Sequence, residues 1–199
     1  MTVSIGTKIN TKKRIAQMPK GHQILIARSH FQCMKMAVLI VDMQNAFCSR
    51  NGSFSKRGFK LLNLDKTIRT IQKIIKLAEK NKWPIIFTRL EFTKNYSDAG
   101  LLVKNAPEIK RLKAYQKNSF DSQIIGQLKY PDNAIIIAKT RYDPFQGTGL
   151  EKKLRQNKIG QIIVAGVLTN VCVESTVRSA FDKDFEILIV EDGTTTYSK

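Results

Sequence analysis

The stretch that decides the fold is Gln161-Ile-Ile-Val-Ala165, together with Gly166-Val-Leu-Thr-Asn-Val-Cys172, which follows it. The first part is short, apolar and β-branched, which is typical of a buried strand. Residues 173–181 then continue in a helical pattern. The chain therefore leaves a strand, turns within a few residues and enters a helix, and Cys172 lies near the start of that helix.

Cys172 has two interpretations at this position. The first N–H groups of a helix lack internal partners and carry partial positive charge. They lower the pKa of a nearby thiol, and the thiolate is the reactive nucleophile. A free cysteine is also a common buried residue with no chemical role. The local sequence leaves both interpretations open, and distant residues have to decide between them.

Composition indicates one globular domain in a reducing compartment. The chain has 199 residues, of which 42% are hydrophobic, enough for one sizeable core. No apolar run approaches the roughly 20 residues that span a bilayer, so we expect no membrane association. Three cysteines do not suggest a disulfide framework, and we expect a cytoplasmic location. Both histidines, His22 and His30, lie near the N-terminus, which disfavours a Cys-His pair or a multi-histidine metal site.

Residues 1–35 form a basic N-terminal extension, separate from a predicted domain at residues 36–199. Residues 1–41 contain seven Lys or Arg and no acid. Such a segment resembles an organelle transit segment. We favour two other interpretations, a loose, disordered arm or translated sequence upstream of a start near Met34 or Met36.

The net charge of +18 raises the question of a polyanionic partner. The lysines are spread through the chain, and neither zinc-finger spacing nor an RRM-type aromatic motif occurs. We therefore interpret the charge as a solvated lysine-rich surface and expect no nucleic-acid partner.

Short apolar runs alternate with helical patterns along the predicted domain. The runs that predict strands are 37–41, 85–89, 134–138, 161–165 and 186–190. Alternating strands and helices imply right-handed crossovers and a largely parallel sheet. We therefore predict an α/β fold with three α/β/α layers, built on a mostly parallel, doubly wound, Rossmann-like sheet of five to six strands.

The connections between these strands carry the helices. Asp65 is a plausible N-cap for an amphipathic helix at 66–81. Thr148 and Glu151 fit a capping box that opens another helix. The long polar connection at 91–120 is typical of a lid or a substrate loop.

Three chemically reactive side chains follow predicted strands. Asp42, Lys139 and Cys172 each come just after the carboxyl end of a strand, and in such sheets sites form beyond these ends. A lysine ammonium favours a neighbouring thiolate, and a carboxylate can take the thiol proton and later deliver it to a leaving amine. The turn from Leu168 to Cys172 supplies backbone N–H groups that can hold an oxyanion. This set predicts acyl transfer to cysteine followed by hydrolysis.

Three segments carry a resemblance to a known family. They are Asp42-Met-Gln-Asn-Ala-Phe47, Lys139-Thr-Arg-Tyr-Asp-Pro-Phe145 and Gly166-Val-Leu-Thr-Asn-Val-Cys-Val-Glu-Ser-Thr176. In order and spacing they resemble the isochorismatase-like cysteine hydrolases, and the resemblance extends from about residue 37 to residue 192. It implies that Asp42, Lys139 and Cys172 form a catalytic triad.

The resemblance also implies a cis peptide at Val167–Leu168, which points the N–H groups of Leu168 and Cys172 toward an oxyanion. Nicotinamidases of this superfamily carry an Asp-x-His metal motif after the second strand, where this chain has Thr88-Arg-Leu-Glu-Phe92. We therefore expect no metal and no other cofactor. Isochorismatases proper commonly lack the cysteine.

Within the superfamily, Thr169-Asn-Val-Cys-Val-Glu-Ser-Thr176 and Ser119-Phe-Asp-Ser122 look most like ureidoacrylate, biuret and N-carbamoylsarcosine amidohydrolases. The implied function is a cysteine-dependent amidohydrolase that cleaves a C–N bond of a small carbamoyl, ureido or amide substrate through a thioester-type acyl-enzyme. One alternative is a nicotinamidase- or isochorismatase-type hydrolase. Another is a non-catalytic protein of the same fold that binds anions or nucleic acid.

Positions beside the three reactive residues suggest a substrate pocket, with Gln44, Arg89, Tyr142 and Phe145 as candidates. The family usually continues after the fifth strand with a further helix and strand that take part in oligomer contacts. Compared with that pattern, a chain that ends at Lys199 is short at this end, which predicts exposed apolar surface or an unpaired sheet edge. We expect a homo-oligomer.

Overall fold

The computed structural model describes residues 35–198. The strands in that range are β1 (Lys35–Val41), β2 (Lys60–Leu61), β3 (Ile85–Leu90), β4 (Ile135–Lys139), β5 (Ile159–Val167), β6 (Glu186–Thr195) and β7 (Tyr197–Ser198). Five of them form one parallel sheet in the order β4-β3-β1-β5-β6. The short strands β2 and β7 form a separate antiparallel pair.

The strand order confirms the predicted doubly wound α/β fold. From β1 the chain adds β3 and β4 on one side of the sheet, and then β5 and β6 on the other. The direction of winding therefore reverses at β1, and ligands of such sheets bind in the crevice beyond the carboxyl ends of the strands at this reversal. All five predicted strands are present, and β6 continues to Thr195, beyond its predicted end at residue 190.

Helices connect the strands and cover both faces of the sheet. They are α1 (Asn45–Cys48), α2 (Ser53–Lys56), α3 (Leu64–Asn81), α4 (Leu101–Asn105), α5 (Glu108–Arg111), α6 (Leu150–Gln156) and α7 (Glu174–Phe181). A 3-10 turn lies at Phe120–Ser122, and a π-helical turn at Thr169–Val173 leads directly into α7.

Each face of the sheet has its own apolar core. On one face Val38 and Ile40 of β1 belong to the same buried cluster as Ile71 of α3. On the other face Leu39 of β1 shares a cluster with Leu154 of α6. Each fully buried aliphatic side chain stabilises the fold by about 1.5–3 kcal/mol. Because alternate residues of β1 enter opposite cores, the strand reads as a continuous apolar run, and this made it recognisable in the sequence.

Two predicted helix starts differ from the structure. α3 begins at Leu64, so Asp65 lies in the first turn and is not the N-cap. Its carboxylate there still faces the positive end of the helix dipole. At α6 the Thr148 Oγ1 accepts a hydrogen bond of 3.1 Å from the Leu150 N–H group. Glu151 instead pairs with a lysine that precedes β6, at 3.0 Å, so the reciprocal half of the predicted capping box is not formed.

Both ends of the described range lie in strands. Lys35 is the first residue of β1, and the rest of the predicted N-terminal extension, residues 1–34, lies outside the described residues. At the other end, β7 reaches back to β2, a pairing that the sequence did not predict.

β6 forms one edge of the sheet, and three of its apolar residues are half-buried there. No helix within residues 35–198 is long and apolar enough to cross a membrane.

Candidate active site

Asp42 lies directly after β1, in the crevice where the winding reverses. The residue is fully buried, and its backbone has a φ of 51°. Thr88 of β3 holds the carboxylate, because its Oγ1 donates a hydrogen bond of 2.7 Å to Asp42 Oδ1. The same Thr88 oxygen accepts a hydrogen bond from the Asp42 N–H group at 3.2 Å. The second carboxylate oxygen, Oδ2, therefore remains for another partner.

Lys139, the last residue of β4, is that partner. Its side chain is fully buried, and its Nζ donates a hydrogen bond of 2.7 Å to Asp42 Oδ2. The other Nζ donors reach the carbonyl oxygens of Arg141 at 3.0 Å and Tyr142 at 3.2 Å. Burial alone would lower the pKa of Lys139, but the charge of Asp42 and its hydrogen bond raise it above its ordinary value. The ammonium therefore stays charged and is held by three oxygen acceptors.

The gap that Lys139 bridges explains why a long side chain is needed at this position. β4 and β1 are not neighbours, since β3 lies between them. Adjacent strands are about 4.8 Å apart, so Lys139 has to cross roughly two strand spacings to reach Asp42. The four-carbon stem of lysine carries the charge past β3. A shorter side chain would leave the Asp42 carboxylate buried without a cation.

Cys172 lies in the π-helical turn before α7 and is 1% exposed. Asp42 and Lys139 both lie close enough to its thiol to shift its pKa. Burial raises the pKa of Cys172, the Asp42 carboxylate raises it further, and the Lys139 ammonium opposes the shift. The prediction of a lowered pKa is therefore wrong, because burial and the carboxylate outweigh the ammonium and the helix start. The thiol is protonated in the resting site.

The turn between β5 and Cys172 presents backbone donors beside the thiol. The peptide Val167–Leu168 is cis, and Gly166 before it has a φ of 125°. Two later N–H groups of the turn donate to the Leu168 carbonyl at 3.1 Å. Within residues 35–198, no backbone acceptor receives the N–H group of Leu168. This donor is available to a ligand, and the N–H group of Cys172 lies in the same turn.

A cavity of about 650 Å³ leads to Cys172. Apolar and aromatic side chains form most of its wall, as in other small-molecule sites. The wall comes from residues 47–59, from part of the long connection at 99–115 and from Tyr197 of β7. Tyr142, a predicted pocket residue, lines this cavity together with Cys172.

The other three predicted pocket residues do not line this cavity. Gln44 is fully buried, and its amide is hydrogen-bonded to backbone groups of β3 and of the 3-10 turn. Arg89 pairs with Glu91 at 3.3 Å. Phe145 packs in the core on the α6 side of the sheet. We predicted them as pocket residues because they lie close to the reactive residues in the sequence. Neighbouring side chains of an extended segment point in opposite directions, so closeness in the sequence does not place two side chains in the same cavity.

Several residues around the site could not be found from the sequence. Arg57 and Phe59 of the cavity wall lie in a polar loop, and Tyr197 lies far along the chain, without a local pattern that marks any of them. Thr88 did give a signal, since it interrupts the apolar run of β3 with a polar residue. The structure buries Thr88 completely, and a buried hydroxyl needs a partner, which is Asp42.

Sequence comparison defines the class to which this fold and site belong. The profile of the isochorismatase domain matches residues 36–199. The chain therefore belongs to the isochorismatase family and is an isochorismatase-family hydrolase.

Its relatives include proteins of named activity. The ureidoacrylate amidohydrolase RutB of Variovorax paradoxus strain S110 is 30% identical over 171 residues, which cover 79% of this chain and 68% of that protein. The protein of the same name from Yersinia enterocolitica is 30% identical over 177 residues, covering 82% of this chain and 76% of that protein.

Solved structures share the fold. A cysteine hydrolase from Pseudomonas syringae pv. phaseolicola 1448A superposes with a TM-score of 0.75 at 26% identity, covering 81% of this chain and 73% of that one. The N-carbamoylsarcosine amidase from Thermoplasma acidophilum superposes with a TM-score of 0.63 at 24% identity, covering 81% of this chain and 83% of that one. Both confirm the three-layer α/β architecture.

Proposed function

We propose that this protein is a cysteine-dependent amidohydrolase that cleaves a C–N bond in a small carbamoyl, ureido or amide substrate. The observation that carries the proposal is the buried cluster of Asp42, Lys139 and Cys172 at the cavity of about 650 Å³. The activity named for the relatives, the hydrolysis of ureidoacrylate, supports the choice of a C–N bond.

Conservation of charge in the cluster explains how a protonated thiol becomes a nucleophile. Asp42 takes the proton from Cys172 Sγ, so that a carboxylate and a thiol become a carboxylic acid and a thiolate. The net charge of the cluster stays the same, and no additional charge has to be buried. Lys139 remains a cation throughout. It stabilises the carboxylate before the transfer and the thiolate after it.

The thiolate then attacks the carbonyl carbon of the scissile bond. The N–H groups of Leu168 and Cys172 stabilise the negative oxygen of the tetrahedral intermediate. The protonated Asp42 delivers its proton to the leaving nitrogen, and the C–N bond breaks. This half-reaction releases ammonia or an amine and leaves an acyl thioester on Cys172.

Water completes the reaction. The Asp42 carboxylate, regenerated in the first half, takes a proton from a water molecule that attacks the thioester. The second tetrahedral intermediate uses the same two N–H groups, and its collapse returns the proton to Cys172 Sγ and releases the acid. Asp42 is thus base and acid in turn. Histidine often fills this role in thiol enzymes, and residues 35–198 contain none.

Ammonia release from a panel of ureido, carbamoyl and amide compounds, nicotinamide included, tests the proposal. We expect the wild type to release ammonia from at least one ureido or carbamoyl compound. Cys172→Ser is expected to lose about 10³-fold or more of this activity, as nucleophile variants do. Cys48→Ser changes a half-buried cysteine outside the cavity and is the matched control. Activity that survives in Cys172→Ser, or no release from any compound, would contradict the proposal.

A further inference from the structure

The outer face of α3 carries a row of basic side chains. Its members follow one another at intervals of three or four residues and are all exposed: Lys66, Arg69, Lys73, Lys76 and Lys80. This spacing places them on one side of the helix, and the buried residues of α3 lie on the other side, against the sheet. At 1.5 Å per residue the row is about 21 Å long. Lysines that are spread through the sequence are thus gathered on one surface.

Most of this row lacks counter-ions. Lys66 pairs with Asp192 at 2.7 Å. The other four cations form no ion pair with any residue in the range 35–198. Like charges three or four residues apart destabilise a helix. The row therefore weakens α3 unless an external anion balances its charge.

The positive surface continues past the start of α3. Lys66 and Arg69 line a largely polar cavity of about 740 Å³, together with Arg50 and Lys60. Among the described residues that line it, Asp65 is the one acid. The cations extend over the helix and this cavity, so they match an extended anionic surface better than a single small anion.

Leu77 is an exposed apolar residue among these cations. Its exposed fraction is 43%. Leu77 lies four residues after Lys73 and three before Lys80, so the three side chains are neighbours on the helix surface. A leucine between lysines suits the boundary of a lipid bilayer, where apolar side chains enter the acyl region and cations meet the phosphates. α3 contains no aromatic side chain that could stack on a base of a single-stranded nucleic acid.

We propose that the outer face of α3 attaches this protein to the surface of a membrane that contains anionic lipids. Clusters of about four to eight Lys or Arg on an amphipathic helix are typical of such attachment. The sequence led us to expect no membrane association, because no apolar run is long enough to span a bilayer. Attachment to the surface requires no spanning helix. None of the five cations lines the catalytic cavity, so the inference does not depend on the proposed hydrolysis.

Co-sedimentation of the full chain with lipid vesicles tests the proposal. The vesicles consist of phosphatidylcholine alone, or of phosphatidylcholine with about 30% phosphatidylserine, an anionic lipid of cytoplasmic leaflets. We expect binding only to the vesicles with phosphatidylserine. Binding should be weaker at about 0.5 M than at about 0.1 M salt, because salt screens exposed charges. In Lys73→Gln/Lys76→Gln/Lys80→Gln it should fall about 100-fold, since each lysine near an anionic surface contributes about fivefold.

The matched control is Lys152→Gln/Lys153→Gln/Lys158→Gln. These lysines lie in and just after α6, are exposed and form no ion pair within residues 35–198. The control therefore removes the same net charge from the opposite face of the sheet, where α6 packs. Residues 1–34 and their charges are the same in all three proteins. We expect the control to bind the vesicles as the wild type does.

No binding to the vesicles with phosphatidylserine, an equal loss in both triple variants, or no loss in the α3 variant would overturn the proposal. Binding of a duplex oligonucleotide through the α3 lysines, without binding to the vesicles, would overturn it as well and indicate a nucleic-acid surface. The melting temperature of the α3 variant should equal or exceed that of the wild type, since the substitutions remove like-charge neighbours. If this variant does not fold, Lys73→Gln/Lys80→Gln gives an independent comparison, with an expected loss of about 25-fold.

Discussion

At the scale of single residues, Asp42 and Lys139 depend on each other. Both side chains are fully buried, and their charged atoms are 2.7 Å apart. In Lys139→Met the carboxylate stays buried without its cation, which costs about 3–5 kcal/mol of stability. We expect this loss in the free energy of unfolding by urea at neutral pH, together with loss of ammonia release.

The double variant Asp42→Asn/Lys139→Met is the control for that prediction. It removes both charges, so no unpaired charge remains in the core. We expect it to be more stable than Lys139→Met and still inactive. Losses of stability that simply add in the double variant would show that the two residues are not coupled.

Thr88 is a positioning residue, since it touches Asp42 and acts through it. Thr88→Val keeps the shape of the side chain and removes the hydroxyl. The Asp42 carboxylate then loses one of the two side-chain hydrogen bonds that orient it. We expect kcat to fall by about 10- to 100-fold while KM changes little. Thr88→Ser, which keeps the hydroxyl, should restore most of kcat. An unchanged kcat in Thr88→Val, or a loss confined to KM, would remove this role.

The raised pKa of Cys172 predicts a pH dependence of stability. An ordinary thiol, as in the unfolded chain, ionises near pH 9.0, whereas the folded thiol keeps its proton to higher pH. The folded state therefore binds more protons above pH 9, and stability falls as the pH rises, by at most about 1.4 kcal/mol per pH unit for one thiol. Urea unfolding at pH 8 and pH 10 should show a smaller fall for Cys172→Ala than for the wild type. Equal falls would contradict the raised pKa.

At the scale of elements, Gly166 lets β5 pass close to β1. Its φ is 125°, and an added Cβ would overlap the carbonyl oxygen of Val41. Gly166→Ala therefore strains the backbone and displaces the strand that carries Asp42, at an expected cost of about 3 kcal/mol. Thermal unfolding measures it against Gly126→Ala, where no atom lies within 4 Å of the added Cβ. Equal melting temperatures for the two variants would contradict this account.

Elements also differ in how far the sequence predicts them. β1 and β5 are buried on both faces, so each is a continuous apolar run that is easy to recognise. The two-residue strands β2 and β7 pair across more than 130 positions, and so short a segment has no periodicity of its own. The β2–β7 pairing brings Tyr197 to the part of the cavity wall that contains Arg57. Because the pairing could not be predicted, the sequence predicted the reactive residues but not this wall of the pocket.

At the scale of the whole molecule, strand order accounts for the site. Asp42, Lys139 and Cys172 stand far apart in the sequence, but parallel strands end at a common edge of the sheet. That rule placed the three residues at the same edge without any contact being known. The rule does not predict where a side chain points, and for this reason Gln44 and Arg89 were expected in the pocket, whereas both have partners elsewhere. Nor does it predict the burial that raises the pKa of Cys172.

Domain organisation gives a prediction at the same scale. Residues 35–198 by themselves contain the five-stranded sheet and two apolar cores. Deletion of residues 2–33 should therefore leave the melting temperature and the ammonia release of the protein unchanged. Thermal unfolding of the full and shortened chains checks it. A clearly lower melting temperature of the shortened chain would show that the extension packs on the domain.

The central claim is that Cys172 carries the acyl group, and a quenched single-turnover experiment tests it most directly. Protein is mixed with the preferred compound of the ammonia panel, quenched in acid and mapped by peptide mass spectrometry. We predict an acyl adduct on the peptide that contains Cys172, present also in Cys48→Ser and absent from Cys172→Ala. Turnover by Cys172→Ala at the wild-type rate, or an adduct on another residue, would contradict the account.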